Sequence, residues 1–141
     1  MNKPRSSLLA IVAFIGIIGV SNGTFARDPW EGLWATSAKE CLDPEGPNRN
    51  TYIDTKFRDR DKIKSLFDQY EHHCKIDDMI TSGVKISLTM TCYEMWENFQ
   101  NEQEGFPETA QIEFIKYGSI RINGEQYDRC RITRNIYEQL Y

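Results

Sequence analysis

The chain has 141 residues, of which 27% are charged, and its net charge at neutral pH is −4. This length suits one domain and would crowd two. The acidic balance argues against nucleic-acid binding, which usually needs a basic patch, and against an anionic lipid surface. We therefore expect one acidic domain with no nucleic-acid partner.

Residues 1–26 have the pattern of a secretory signal peptide. Two basic residues precede an apolar run at residues 8–20, and a small-x-small step that signal peptidase could cut ends at Ala26. The run is shorter than the ~20 apolar residues of a spanning helix. The alternative is an uncleaved N-terminal anchor. We expect cleavage, which would leave one periplasmic or secreted domain, residues 27–141, with no integral membrane domain.

Cleavage would make the protein more acidic. It would remove two basic residues and no acid, leaving 15 basic against 21 acidic residues and a net charge of −6. This charge favours a cationic protein as partner, because complementary charge steers encounter. The alternative is that the charge only maintains solubility.

We further expect that the protein is a monomer and that it holds no cofactor.

All four cysteines lie in the mature segment, at Cys41, Cys74, Cys92 and Cys130. An even number in an exported chain of this size predicts two disulfides. The paired C-x-x-C spacing typical of zinc sites and of redox-active motifs does not occur in the sequence. The sequence therefore predicts structural disulfides.

The pairing of these cysteines follows from a predicted hairpin. Gly83 lies midway between Cys74 and Cys92, so a turn centred there would place the two cysteines opposite each other at disulfide distance. Cys41 and Cys130 would then join the first strand to the last, where a barrel closes. The alternative pairing is Cys41 with Cys74 and Cys92 with Cys130.

Period-two alternation and turn residues predict seven or eight short strands. The expected strands are residues 32–39, 51–57, 67–80, 84–96, 110–116, 119–122 and 125–132. Between them we expect a loop at 43–48, a charged turn at 58–61, a short helix or irregular turn at 62–66, a long polar loop at 94–107 and a tail at 133–141.

These strands predict an all-β fold, a single small antiparallel barrel stapled by disulfides. Closure is favoured because a small open sheet would expose its edges. Asn123 and Gly124 form the strongest hairpin signal, since both tolerate positive φ in a type I′ turn. The expected core residues are Trp34, Ile86, Leu88, Met90, Ile112, Phe114, Ile120 and Ile122.

The long polar loop at residues 94–107 carries the candidate binding surface. Its aromatic residues sit among acids and amides, a composition that suits a protein interface. The alternative is a small cluster that folds the loop back on the barrel. The candidate binding residues are Trp96, Phe99, Phe106, Glu97, Glu102 and Glu104.

The sequence contains few signs of catalysis. His72 and His73 are adjacent and would point to opposite faces of a strand, so they could not easily share a metal. No nucleophile–base motif, phosphate-binding loop or metal-ligand spacing occurs. We therefore expect no enzymatic activity, no catalytic residue and no metal site.

Gly32-Leu33-Trp34 resembles the G-x-W of the first strand in lipocalin-like barrels, in which the Trp plugs one barrel end. With four cysteines added, the chain resembles small exported bacterial proteins of the calycin type, some of which inhibit host lysozymes or proteases. The Ser-Gly-x-Gly-x-x-Tyr motif of lysozyme-inhibitor barrels and the second lipocalin signature, a T-D-Y-like triplet, are absent. The resemblance thus implies the fold more than an activity.

Together these patterns predict an exported binding protein, one possibility being an inhibitor of a cationic secreted enzyme. The alternatives are a structural envelope protein and a barrel that binds a small ligand at its mouth.

Overall fold

A computed structural model describes residues 28–42 and 50–131 of the chain. Eight antiparallel strands close into a barrel in chain order. The strands are β1 Gly32–Ala35, β2 Asn50–Asp59, β3 Lys62–Gln69, β4 His72–Ser82, β5 Lys85–Tyr93, β6 Phe106–Lys116, β7 Ser119–Ile122 and β8 Glu125–Arg129. A short 3₁₀ helix, Glu40–Leu42, follows β1, and one α-helix, α1 Trp96–Asn101, joins β5 to β6.

The predicted all-β barrel is therefore confirmed, and its interior follows from alternation along the strands. On β5, Ile86, Leu88, Met90 and Cys92 are buried, while the residues between them are more exposed. The equivalent faces of the other strands contribute to the same inner cluster. Of the eight predicted core residues, seven are buried, and Phe114 packs against the cluster while partly exposed.

Trp34 anchors the closure between β1 and β8. It is 1% exposed, and the Arg129 guanidinium lies 4.4 Å from the centroid of its ring. Arg129 also donates hydrogen bonds to the carbonyl oxygens of Pro29 and Glu31. A cation over an indole face is favourable. Arg129 thus ties the segment that precedes β1 to the last strand.

Both predicted disulfides are present. Cys74 and Cys92 are directly opposed on β4 and β5, with Cα atoms 4.0 Å apart. Cys41 and Cys130 are joined with Cα atoms 5.6 Å apart, next to the β1–β8 seam. Such bonds persist in an oxidising environment, so the fold is that of a protein from an oxidising compartment.

The structure corrects the sequence analysis between residues 62 and 80. Residues 62–66 belong to β3 and form neither a helix nor an irregular turn. The stretch 67–80 is not one strand, because a two-residue turn at Tyr70 and Glu71 divides it. Glu71 adopts a φ of 50°, a conformation that glycine and asparagine usually occupy. The turn therefore lacked its usual sequence signal.

Other element ends also differ from the prediction. The first strand ends at Ala35 and not at residue 39, and β5 ends at Tyr93. Residues 96–101 form α1 where a loop was expected. The predicted signal peptide, the loop at 43–48 and the tail at 133–141 lie outside the described residues.

The helix α1 covers the outer face of the barrel wall. Its buried side chain, Phe99, belongs to a second apolar cluster with Tyr52, Leu66 and Tyr93. Trp96 packs against this cluster and is half-buried. Within residues 28–42 and 50–131, no helix has the length and apolar character that crossing a membrane requires.

Candidate functional site

The C-terminal end of α1 is held by a lysine from the sheet. Lys64 on β3 donates hydrogen bonds of 3.1 Å to the carbonyl oxygens of Phe99 and Gln100. Its ammonium also lies 2.9 Å from the Asp59 carboxylate, and both side chains are buried. A cation at a helix C-terminus satisfies carbonyl groups that lack partners within the helix. The position of α1 is therefore fixed by β2 and β3.

Glu102 completes this attachment. It follows α1 in the left-handed conformation, and its carboxylate lies 3.2 Å from Lys75 Nζ and 3.6 Å from Lys64 Nζ. The hydrogen bond from Lys75 lowers the pKa of Glu102, although burial acts in the opposite direction. Glu102 thus contacts the protein's own lysines.

A buried Asp–His pair lies beneath the N-terminal end of α1. His73 Nδ1 is 2.5 Å from Asp68 Oδ1, and the His73 ring meets Trp96 edge-on at 5.1 Å. Asp68 Oδ2 has no hydrogen-bond partner among the described residues. Burial raises the pKa of Asp68, and His73 partly opposes this shift. The Asp68–His73 pair therefore packs against the indole of Trp96 through the His73 ring.

A groove opens beside Trp96 at the barrel end where β3 turns into β4 and β5 leads to α1. Its volume is about 780 Å³, and it is open to solvent. Three carboxylates, one imidazole and three apolar side chains line it. They are Glu71, Glu94, Glu97, His72, Met95, Trp96 and Phe106.

Inner-face residues of neighbouring strands lie at this end of the barrel, and two of them, His72 and Phe106, line the groove. His72 Nε2 lies 2.7 Å from the Glu108 carboxylate, and the His72 ring lies 5.9 Å from that of Phe106. The His72 and Glu108 side chains are 24% and 41% exposed. The groove therefore adjoins a partly exposed His–Glu pair in which the contacting carboxylate oxygen, Glu108 Oε2, is itself buried.

The structure divides the six predicted binding residues into two groups. Trp96, Glu97 and Phe106 line the groove together. Phe99 is fully buried, so its prediction as an exposed anchor is wrong: it packs against Trp96 and Tyr93 as part of the outer cluster.

The other two acids lie outside the groove lining. Glu102 is bound by two lysines, and Glu104 accepts a hydrogen bond from Asn98. The predicted cluster that folds the loop back on the barrel is therefore present as well, in Phe99 and part of Trp96.

Four lining residues were not among the predicted set: Glu71, His72, Glu94 and Met95. Glu94 and Met95 adjoin Trp96 in sequence and were within reach of the prediction. Glu71 lies in the β3–β4 turn, which was not predicted, and His72 is the first residue of β4.

Comparison with known proteins yields no relative. No family model matches the chain, and neither a curated protein nor a solved structure is significantly similar to it.

Proposed function

We propose that this protein is an exported binding protein and that the groove beside Trp96 binds a cationic segment of a partner protein. The observation that carries the proposal is the combination of three apolar side chains with three carboxylates in one solvent-open groove. The net charge of −4, which cleavage after residue 26 would make −6, favours the same kind of partner.

The chemistry of the groove matches lysine and arginine side chains. Glu71, Glu94 and Glu97 are exposed and can accept charge-assisted hydrogen bonds from ammonium or guanidinium groups. Phe106 offers an aromatic ring for the aliphatic stem or for a cation–π contact. Met95, which is 61% exposed, is a flexible apolar side chain of the kind found at adaptable interfaces.

A surface site is favoured over an interior one. The inner face of the barrel supports a cluster of buried side chains that includes Ile53, Phe67 and Met90. A small barrel whose interior is filled by side chains has little room for a ligand. The alternative of a small ligand inside the barrel thus has less support.

We also infer a lipocalin-like architecture without catalytic activity. The G-x-W at Gly32-Leu33-Trp34 lies on β1 of an eight-stranded barrel, in agreement with the resemblance noted from the sequence. Inhibition of a secreted enzyme is one way in which the groove would act, because it would occupy a basic surface of the target.

Isothermal titration of the disulfide-intact protein tests the proposal, with a lysozyme and an oligolysine peptide as basic probes. We expect binding that weakens as salt is added, because exposed charges are screened. Phe106→Ala should weaken it by about 2 kcal/mol, or roughly thirtyfold. Glu94→Gln and Glu97→Gln should each cost about 0.2–1 kcal/mol.

Two control variants distinguish binding in the groove from non-specific electrostatic or hydrophobic binding elsewhere on the surface. Glu104→Gln removes the same charge as Glu97→Gln outside the groove lining, and Tyr117→Ala removes an aromatic residue that is 99% exposed on the β6–β7 turn. Neither should change the affinity. Equal losses in the control and groove variants, or no binding of either probe, would contradict the proposal. Trp96→Ala is unsuitable because Trp96 also packs on Phe99 and His73.

A further inference from the structure

Four side chains bring metal-ligating atoms together at one end of the barrel, and one of them, His72, also lines the groove. His72, Cys74, Cys92 and Glu108 each place one ligand atom within 4.8 Å of all the others. They come from three adjacent strands, β4, β5 and β6. Within residues 28–42 and 50–131 this is the only group of three or more such residues. In the structure, Cys74 and Cys92 are joined by a disulfide, so two of the four ligands are masked.

We propose that the reduced form of this protein binds Zn²⁺ through the thiolates of Cys74 and Cys92, the imidazole of His72 and the carboxylate of Glu108. Zinc takes four such ligands in tetrahedral geometry at about 2.0–2.3 Å, which places neighbouring ligand atoms about 3.3–3.8 Å apart. The four ligand atoms already lie within 4.8 Å of one another, so zinc binding would require the two sulfurs to separate and the side chains to rotate. Two thiolates also favour zinc over the hard cations Mg²⁺ and Ca²⁺.

The redox and proton balance of the site is simple. A dithiol reductant gives two electrons and two protons to the Cys74–Cys92 bond, which breaks into two thiols while the reductant becomes a disulfide. Each thiol then releases one proton to solvent as its sulfur binds Zn²⁺, and His72 binds through a neutral ring nitrogen. Formation of the disulfide removes both sulfur ligands. The zinc site can therefore form only in the reduced chain, either before the Cys74–Cys92 disulfide has formed or after a dithiol has reduced it.

The surroundings give the ion an entry path and a rigid site. His72 lines the open groove, so Zn²⁺ can reach its imidazole and then the carboxylate beside it. Cys74 and Cys92 are fully buried behind this pair and belong to the core cluster of the barrel. Because Cys74 and Cys92 are cross-strand partners, the backbone already holds the two sulfurs on one face.

The second disulfide is a control within the same chain. Cys41 and Cys130 supply two thiols on reduction, but they are not part of any group of three or more ligands among the described residues. Two variants separate the pairs: Cys41→Ala with Cys130→Ala keeps the proposed site, and Cys74→Ala with Cys92→Ala removes it.

The test is a titration with Co²⁺, whose spectrum reports ligand type, after reduction by a phosphine under argon. The reduced protein should show one equivalent of tetrahedral Co²⁺ with sulfur-to-cobalt charge-transfer absorption, and Zn²⁺ should displace it. The Cys41→Ala/Cys130→Ala variant should keep this signal. The oxidised protein and the reduced Cys74→Ala/Cys92→Ala variant should lack it. Absence of the signal from reduced wild type, or its presence in the Cys74→Ala/Cys92→Ala variant, would overturn the proposal.

Reduction could unfold the barrel and leave thiols that bind metal without any fixed geometry. Two further variants, which keep all four cysteines, distinguish this case from the proposed site. His72→Asn and Glu108→Gln should weaken Zn²⁺ binding by roughly tenfold or more, because even residues that only orient ligands cost 10–100-fold. Circular dichroism of each reduced sample reports whether the barrel persists. Unchanged affinity in both variants would mean that the thiols bind metal without the barrel geometry, and the proposed site would be wrong.

Discussion

Lys64 and Asp59 form an ion pair inside the protein: their charged atoms are 2.9 Å apart and each side chain is only 4% exposed. The two residues come from adjacent strands, and the same ammonium group caps the end of α1. Gln100 of the helix in turn donates a hydrogen bond to Asp59. This pair connects the barrel wall to the helix that carries Trp96, and so it positions one side of the groove.

Lys64→Met should destabilise the protein by about 3–5 kcal/mol, since it leaves the Asp59 carboxylate buried without its cation. Denaturant-induced unfolding measures the loss, and Lys62→Met, at an exposed lysine on the same strand, should cost little. The double change Lys64→Met with Asp59→Leu should recover part of the stability because no buried charge remains. A loss below about 1 kcal/mol for Lys64→Met alone would show that water reaches the pair.

Asp68→Asn should make the protein progressively more stable, relative to wild type, as the pH rises above about 4. Burial raises the pKa of Asp68 above its ordinary value of 3.8, so the folded state holds the proton more tightly than the unfolded state. The contribution of Asp68 to stability is thus fully present at low pH and is lost as the pH rises through the folded pKa. Asparagine keeps a hydrogen-bond acceptor for His73 and carries no charge.

Unfolding of wild type and Asp68→Asn over a pH series tests this sign. If the variant instead loses stability relative to wild type as the pH rises, the interaction of the Asp68 carboxylate with His73 outweighs the desolvation of Asp68.

Removal of the two disulfides should cost different amounts. The Cys41–Cys130 bond closes a segment of 89 residues and the Cys74–Cys92 bond one of 18. Chain-entropy arguments then give losses of roughly 4–5 and roughly 3 kcal/mol for the respective double alanine variants. Thermal unfolding of the two variants measures the order. The reverse order would show that native packing around Cys74 and Cys92, and not loop length, dominates.

Gly32→Ala should destabilise the barrel closure by about 1–3 kcal/mol. Gly32 has a φ of 128°, and a Cβ there would lie 2.8 Å from Arg129 Nη1. Gly124→Ala is a matched control, because its φ of 90° is also positive but the added carbon meets nothing within 4 Å. Denaturant unfolding should show a larger loss for Gly32→Ala. Equal losses would mean that Arg129 moves aside freely.

The partners of Cys74 and Cys92 were predicted correctly because two deviations from the expected hairpin cancel: the position of the turn and a bulge in β4. The β4–β5 turn is Gly83-Val84, since Ser82 pairs with Lys85, and an unbroken ladder from that turn would oppose Cys74 to Tyr93. A bulge between Ile76 and Asp78 adds one residue to β4 and shifts the register to Cys92. The predicted centre at Gly83 therefore gave the correct partners, although the turn is centred half a residue further along the chain and the bulge was not predicted.

The sequence by itself determined the barrel, because period-two alternation fixes which side chains face inwards on strands such as β5. It also determined the turn at Asn123-Gly124, where both residues adopt the positive φ that their types favour. Both features depend on neighbours along the chain, which a sequence displays directly.

Only the tertiary structure decided the groove and the environment of its residues. Phe99 and Phe106 look alike in a polar segment, yet one is buried beneath α1 and the other lines the groove. Glu102 and Glu97 differ in the same way, because Lys64 and Lys75 reach only the former. Burial and ion pairing depend on residues distant in sequence that meet across strands, so local patterns do not contain them.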